Sequence, residues 1–146
     1  MIMATKTVAP FTYWAENDGG RADAGFKGEA GDCVARAVAI VTDRPYADVY
    51  NELAQFMKDH GESKSARNGI PKHITRAFME KQGFTWVPTM TIGSGTTVHL
   101  RADELPHGRI IARVTRHICA VVDGVIEDTH DPSRGGTRAV YGYWKV

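Results

Sequence analysis

Two cysteines, six histidines and a scatter of carboxylates carry most of the chemistry this chain of 146 residues has available. Cys33 is the most telling of them. It follows the glycine-punctuated stretch containing Gly25, Gly28 and Gly31, and it precedes the apolar run Val34, Ala37, Val38, Ile40, Val41, so it falls at a helix start. Unpaired backbone N–H groups and the positive end of the macrodipole gather there; both favour a thiolate, and the same N–H groups suit a developing oxyanion. A thiol nucleophile needs a base and a group that orients the base. The segment 116–131 offers His117, Asp128, His130 and Asp131.

The elements that must position these groups follow from periodicity. Residues 109–115, 117–122 and 125–129 read as strands, and Asp123-Gly124 between the last two is a strong signal for a two-residue hairpin. Such a turn sets His117 opposite His130 and Cys119 opposite Asp128, with Asp128 diagonal to His117 on one face and Asp131 on the other. A one-residue slip would favour Asp131, so both carboxylates stay open as the orienting group, with His130 as a third candidate. Upstream, the run after Cys33 is apolar on all sides, as a buried helix requires. An amphipathic helix is expected over 46–60 (Val49, Leu53, Phe56 and Met57 on one face) and another after Pro71 that ends at Gly83. Residues 84–90, 98–100 and 139–146 are further strand candidates; 62–68 and 91–97 read as loops, and Ser133-Arg134-Gly135-Gly136 as a flexible loop beside the site. Residues 1–31 read as an irregular N-terminal arm pinned by Phe11, Tyr13, Trp14 and Phe26. The expected architecture is one α+β domain over 1–146, helices first and an antiparallel sheet second.

The order of parts resembles papain-like cysteine peptidases. Cys33 opens the helix, the strand His117-Ile118-Cys119-Ala120-Val121-Val122 is similar to that family's His-led strand, and Ile126-Glu127-Asp128-Thr129-His130 to its Asn/Asp-bearing strand. Asp131-Pro132 resembles the Asp-Pro pair of the C39-like branch and of transglutaminase-like enzymes, and the whole resembles small peptidase-like proteins of bacteriophages and prophages. The resemblance implies a papain-like fold with the nucleophile on the central helix. It also implies a Cys33-His117-Asp128 triad, a thioester intermediate, no cofactor, and hydrolysis of a peptide, isopeptide or amide bond in a peptide or protein. Where the family usually carries a Gln as oxyanion donor stands Lys27. Asp32, beside the thiol, would raise its pKa unless it caps the helix or pairs with Arg21, Lys27 or Arg36.

Other readings stand beside this one. The same fold with a silent triad would be a protein-binding module, and the same triad working on an amine would be an acyltransferase. Cys33, Cys119, His117 and His130 are chemically suited to zinc, though their spacing matches no finger or ribbon. A net charge of +1 gives no global reason to expect nucleic acid or an anionic membrane as partner. No apolar run is long enough to span a bilayer, Met1-Ile2-Met3-Ala4-Thr5-Lys6 lacks a signal-peptide core, and two thiols make no disulfide framework. The expected location is therefore the cytoplasm, that of the host if a phage encodes the chain.

Overall fold

Every residue from Val34 to Val41 is buried, so helix α1 (Cys33–Thr42) is enclosed on all sides, as its unbroken apolar run requires. Asp43, in the left-handed conformation, ends it by returning its N–H to Ala39 and Ile40 carbonyls. Helices α2 (Tyr46–Asp59) and α3 (Lys72–Lys81) each follow a proline that sets the helix entry, and each buries one stripe: Val49, Leu53, Phe56 and Met57 in α2, Ile74, Phe78 and Met79 in α3. The computed structural model describes residues 5–27, 32–62, 70–91, 95–96 and 98–146.

Among the described residues the chain is α+β, with three helices and a seven-stranded mixed sheet. Its strands are β1 (Lys6–Ala9), β2 (Thr12–Glu16), β3 (Thr85–Pro88), β6 (Arg109–Val114), β7 (His117–Val122), β8 (Val125–Asp128) and β9 (Gly142–Lys145). They run in the order β1-β2-β8-β7-β6-β9-β3; β4 (Met90–Thr91) and β5 (Gly95–Thr96) pair separately. Both faces of the sheet are covered. Ile111, Ile118, Ala120 and Trp144 meet the three helices on one side. On the other, Ile110, Ala112, Val114, Cys119, Val121 and Ile126 pack with Leu100, Leu105 and Val140 from the connections.

Two expectations are corrected. Residues 6–16 are not irregular: β1 and β2 form a hairpin turned at Phe11 (φ 59°), and β2 runs parallel to β8 with Trp14 opposite Ile126 and Glu16 opposite Asp128. The sheet is therefore mixed, not antiparallel throughout. These strands are short and bracketed by Pro10 and the Asn17-Asp18-Gly19-Gly20 turn. Their order comes from a partner far away in sequence, which local patterning does not register. Smaller differences follow the same logic. The strand expected over 98–100 is reduced to a single bridge, His99 to Ala139, and Pro88 is accommodated because β3 is an edge strand. The Ser133-Arg134-Gly135-Gly136 loop is a turn closed by bonds from Gly136 and Arg138 N–H to the Ser133 carbonyl, and Gly136 packs so closely on Thr12 that a Cβ would come within 2.3 Å of its hydroxyl. Gly28, Gly31, Gly69, Gly93-Ser94 and nearly all of the expected 62–68 loop lie outside the described residues.

Candidate active site

The β7–β8 hairpin determines the geometry. Asp123 and Gly124 both take positive φ, 50° and 82°, the requirement of a type I′ turn, and the ladder pairs Val122 with Val125, Val121 with Ile126 and Ala120 with Glu127. That register brings the first residue of β7 and the last of β8 to the same end of the sheet. His117 Nε2 there lies 2.6 Å from Asp128 Oδ2. The N-terminus of α1 reaches the same end, and Cys33, half-buried, meets the His117 ring and the Ile118 N–H. With Nε2 committed to Asp128, Nδ1 is the ring nitrogen left for the thiol.

The electrostatics of the three groups are coupled. Burial works against a Cys33 thiolate, but the hydrogen bond and charge of His117, the Ile118 N–H and the Arg36 guanidinium together hold its pKa below that of an ordinary thiol. Burial also opposes a charged His117, and is outweighed by the Asp128 carboxylate and the sulfur, which push its pKa up to about 9. Asp128 is driven upward by burial and pulled below the usual carboxylate range by His117, the Thr129 N–H and Arg36. Each group thus favours the charged form of its neighbour: the thiolate and the carboxylate support the imidazolium between them, and the imidazolium supports both.

Asp32 does not oppose this. Its buried carboxylate bonds Arg36, accepts from Tyr46 Oη at 2.5 Å and lies 3.1 Å from Arg21 Nε, so its charge is matched by two guanidinium groups. It makes no side-chain cap, which leaves the first-turn N–H groups of α1 free of that carboxylate. Arg36 turns its other nitrogen to Asp128 Oδ1 at 3.5 Å. Asp128 is held from its backbone as well: its carbonyl accepts from Trp14 Nε1 at 3.1 Å and from Asn17 N–H at 3.0 Å. From the sequence, Arg36 reads only as one of several partners for Asp32, and Trp14 as packing. Spacing i, i+4 from Asp32 is the available signal for the first; nothing local marks Trp14.

The remaining candidates are elsewhere engaged. Asp131 accepts from the Ser133 N–H and hydroxyl at 3.0 and 2.6 Å, closing its own turn. His130 is exposed, its ring 5.2 Å from that of His117. Lys27 is exposed, and its carbonyl accepts from Arg21. Cys119 is enclosed in the core on the far face, where burial drives its pKa well up, so it does not join a site with Cys33. Among the described residues, the metal-ligating types that converge are His117, Asp128 and His130, with one ligand atom of each within 4.8 Å of the others. In that set His117 Nε2 already bonds Asp128.

No known protein family, curated protein or solved structure matches the chain. Among the described residues no helix is long and apolar enough to cross a membrane.

Proposed function

We propose that the protein is a papain-like cysteine hydrolase acting on a peptide, isopeptide or other amide bond. The observation that carries this reading is the chain of contacts from Cys33 at the head of α1, through the His117 ring, to Asp128 at 2.6 Å. The Cys33 thiolate adds to the carbonyl carbon, and the oxyanion is received by the Cys33 backbone N–H at the uncapped helix start. His117 gives its proton to the leaving amine as the C–N bond breaks, leaving a thioester. It then takes a proton from water, whose oxygen displaces the sulfur and releases the acid. Asp128 keeps the ring oriented through both steps and supports its charge whenever it carries the proton.

Alkylation by iodoacetamide tests the first requirement. Cys33 should react quickly at neutral pH, and a His117→Ala variant should react roughly tenfold more slowly or worse, in keeping with loss of a charge that lowers the thiol pKa. Equal rates in the two proteins would sink the reading in favour of a binding module whose cysteine is structural.

A further inference from the structure

Beside the thiol, the sheet presents a row of residues with a single charge in it. Pairing across β7, β6, β9 and β3 aligns Ile118, Arg113, Gly142 and Pro88, and the adjoining row on the same face is Ala120, Ile111, Trp144 and Trp86. Ile118 is the residue whose N–H meets the Cys33 sulfur, so Arg113 rises one strand away from the nucleophile, on the helix-bearing face. Its guanidinium lies 5.9 Å from the centre of the Trp144 ring. Gly142 has no side chain because the Trp86 ring occupies that space: a Cβ there would stand 2.4 Å from the indole. Trp86 and Trp144 then line a cavity of about 390 Å³ with Phe84, Thr85, Arg76 and Glu80, the last two from α3.

Arg113 does not line this cavity but adjoins it through Trp144, and the charges around the two are unbalanced. Arg113 is half-buried, yet among the described residues its side chain makes no hydrogen bond or ion pair, and neither does that of Arg76. Burial and the nearby Arg76 both weigh against the charge on Arg113; the Cys33 sulfur is the group that supports it. A guanidinium held over an indole, partly desolvated and lacking a carboxylate, is a recognition element awaiting an anion of planar, two-oxygen shape. Glu80 lines the cavity with Arg76 and makes no ion pair with either arginine, so with Arg113 beside the wall the arginines there outnumber it.

From this juxtaposition we propose that Arg113, with Arg76 and the Trp86–Trp144 wall, forms a subsite for a substrate carboxylate immediately beside the bond that Cys33 attacks. The proposal rests on the hydrolase reading and names its substrate class: a peptide with either an acidic side chain or a free C-terminal carboxylate next to the scissile bond. The aromatic wall receives the apolar part of that residue and the guanidinium receives its oxygens.

Iodoacetate and iodoacetamide test it, since both lose iodide to the same thiolate and differ only in carrying a carboxylate or an amide. Mass spectrometry assigns the adduct to Cys33, and the ratio of the two rates cancels the thiolate fraction. Relative to the parent protein, the iodoacetate:iodoacetamide ratio should fall by about tenfold in Arg113→Gln, the value of one charge-assisted contact. Arg113→Lys should restore part of it. Arg76→Gln, on the exposed face of α3, perturbs the same wall without touching the sheet and should lower the ratio in the same direction. Attraction by the His117 imidazolium is common to all of these proteins and leaves the comparison intact. A ratio unchanged in Arg113→Gln, or in Arg76→Gln should the first variant not fold, overturns the subsite. The two failures are separable: a slow iodoacetamide rate insensitive to His117→Ala overturns the catalytic reading, while the ratio still reads Arg113. Protection of Cys33 from iodoacetamide by acetyl-Ala-Glu-Ala-amide, or instead by acetyl-Ala-Ala-Ala with its free terminus, tells the side-chain source from the terminal one. Protection by either must be lost in Arg113→Gln, and protection that survives there counts against the subsite.

Discussion

Arg36 lies 3.5 Å from Asp128 with one guanidinium nitrogen and bonds Asp32 with the other, so a single buried side chain joins the carboxylate behind His117 to the carboxylate at the head of α1. A residue of helix α1 thereby shares in holding the orienting group, together with His117 and the Thr129 N–H. Replacing Arg36 by Met keeps much of the stem and removes the charge. It leaves Asp32 to Arg21 and Tyr46, and Asp128 to His117 and its own backbone contacts. Breaking a buried pair from one side costs about 3 kcal/mol, and a denaturant titration of Arg36→Met should register a loss of that order. The thiol pKa of Cys33 should also rise, because Arg36 supports the thiolate directly. A stable variant with an unaltered thiol pKa would show the link to be inert.

The raised pKa of His117 sets a pH window. Its value goes from 6.5 in an ordinary histidine to about 9 here, with burial opposing and Asp128 and Cys33 favouring the charge. A group whose folded pKa lies above its unfolded one contributes stability in full below the unfolded value and loses it as pH rises through the folded value. Cys33, whose thiol pKa is lowered, carries the opposite linkage, so with Cys33 changed to Ser the denaturation midpoint should fall above pH 6.5 more steeply than in the same protein that also carries His117→Gln. Amide hydrolysis, which needs the imidazolium as acid, should decline through the same pH near 9, whereas alkylation, which needs only the thiolate, should not. Parallel pH curves for the two proteins would place the histidine charge outside the folding equilibrium.

The site was legible where local patterning dictates geometry. An Asp-Gly pair between two apolar runs needs positive φ at both residues, and once that turn is granted the register places His117 and Asp128 at one end of the sheet; the observed ladder, with Ala120 opposite Glu127, has that register. The all-round apolarity after Cys33 likewise leaves little choice but a buried helix. What escaped depends on contacts between segments distant in sequence. β2 has its place because β8 accepts it in parallel, and only that pairing puts Trp14 and Asn17 against the Asp128 carbonyl. Arg113 reads as one more polar residue on a strand until the row across three neighbouring strands shows what it faces.

Asp128 and Asp131 are separable by amide substitution, which changes charge with little change in shape. Asp128→Asn removes the carboxylate that accepts from His117 at 2.6 Å, so the His117 pKa should return toward 6.5 and Cys33 alkylation at neutral pH should slow roughly tenfold. Asp131 instead holds Ser133 within the following turn, and Asp131→Asn should lower stability slightly, on the order of 1 kcal/mol, while the alkylation rate changes little. Titration of the His117 ring by NMR in both variants reads the distinction directly. A normal His117 pKa in Asp131→Asn and a raised one in Asp128→Asn would reverse the assignment.

Gly142 connects the stability of the sheet to the wall of the cavity lined by Trp86 and Trp144. It is buried between β6 and β3, opposite Arg113 on one side and Pro88 on the other, and a Cβ at this point would lie 2.4 Å from the Trp86 ring and 2.8 Å from the Val87 carbonyl oxygen. The ring is the flexible party; the β3 backbone is not. Gly142→Ala must therefore swing Trp86 away and strain the β3–β9 pairing at an edge of the sheet, a small-to-large change costing about 1–3 kcal/mol. The expected readout is a lowered denaturant midpoint at unchanged slope, with Trp86 emission shifted to the red as the indole gains solvent. Cys33 and His117, on the other side of β6, should keep their pKa values in this variant, because the displaced atoms belong to β3 and β9. A midpoint equal to that of the parent protein would mean that β3 yields without cost and that the indole is not wedged against the glycine.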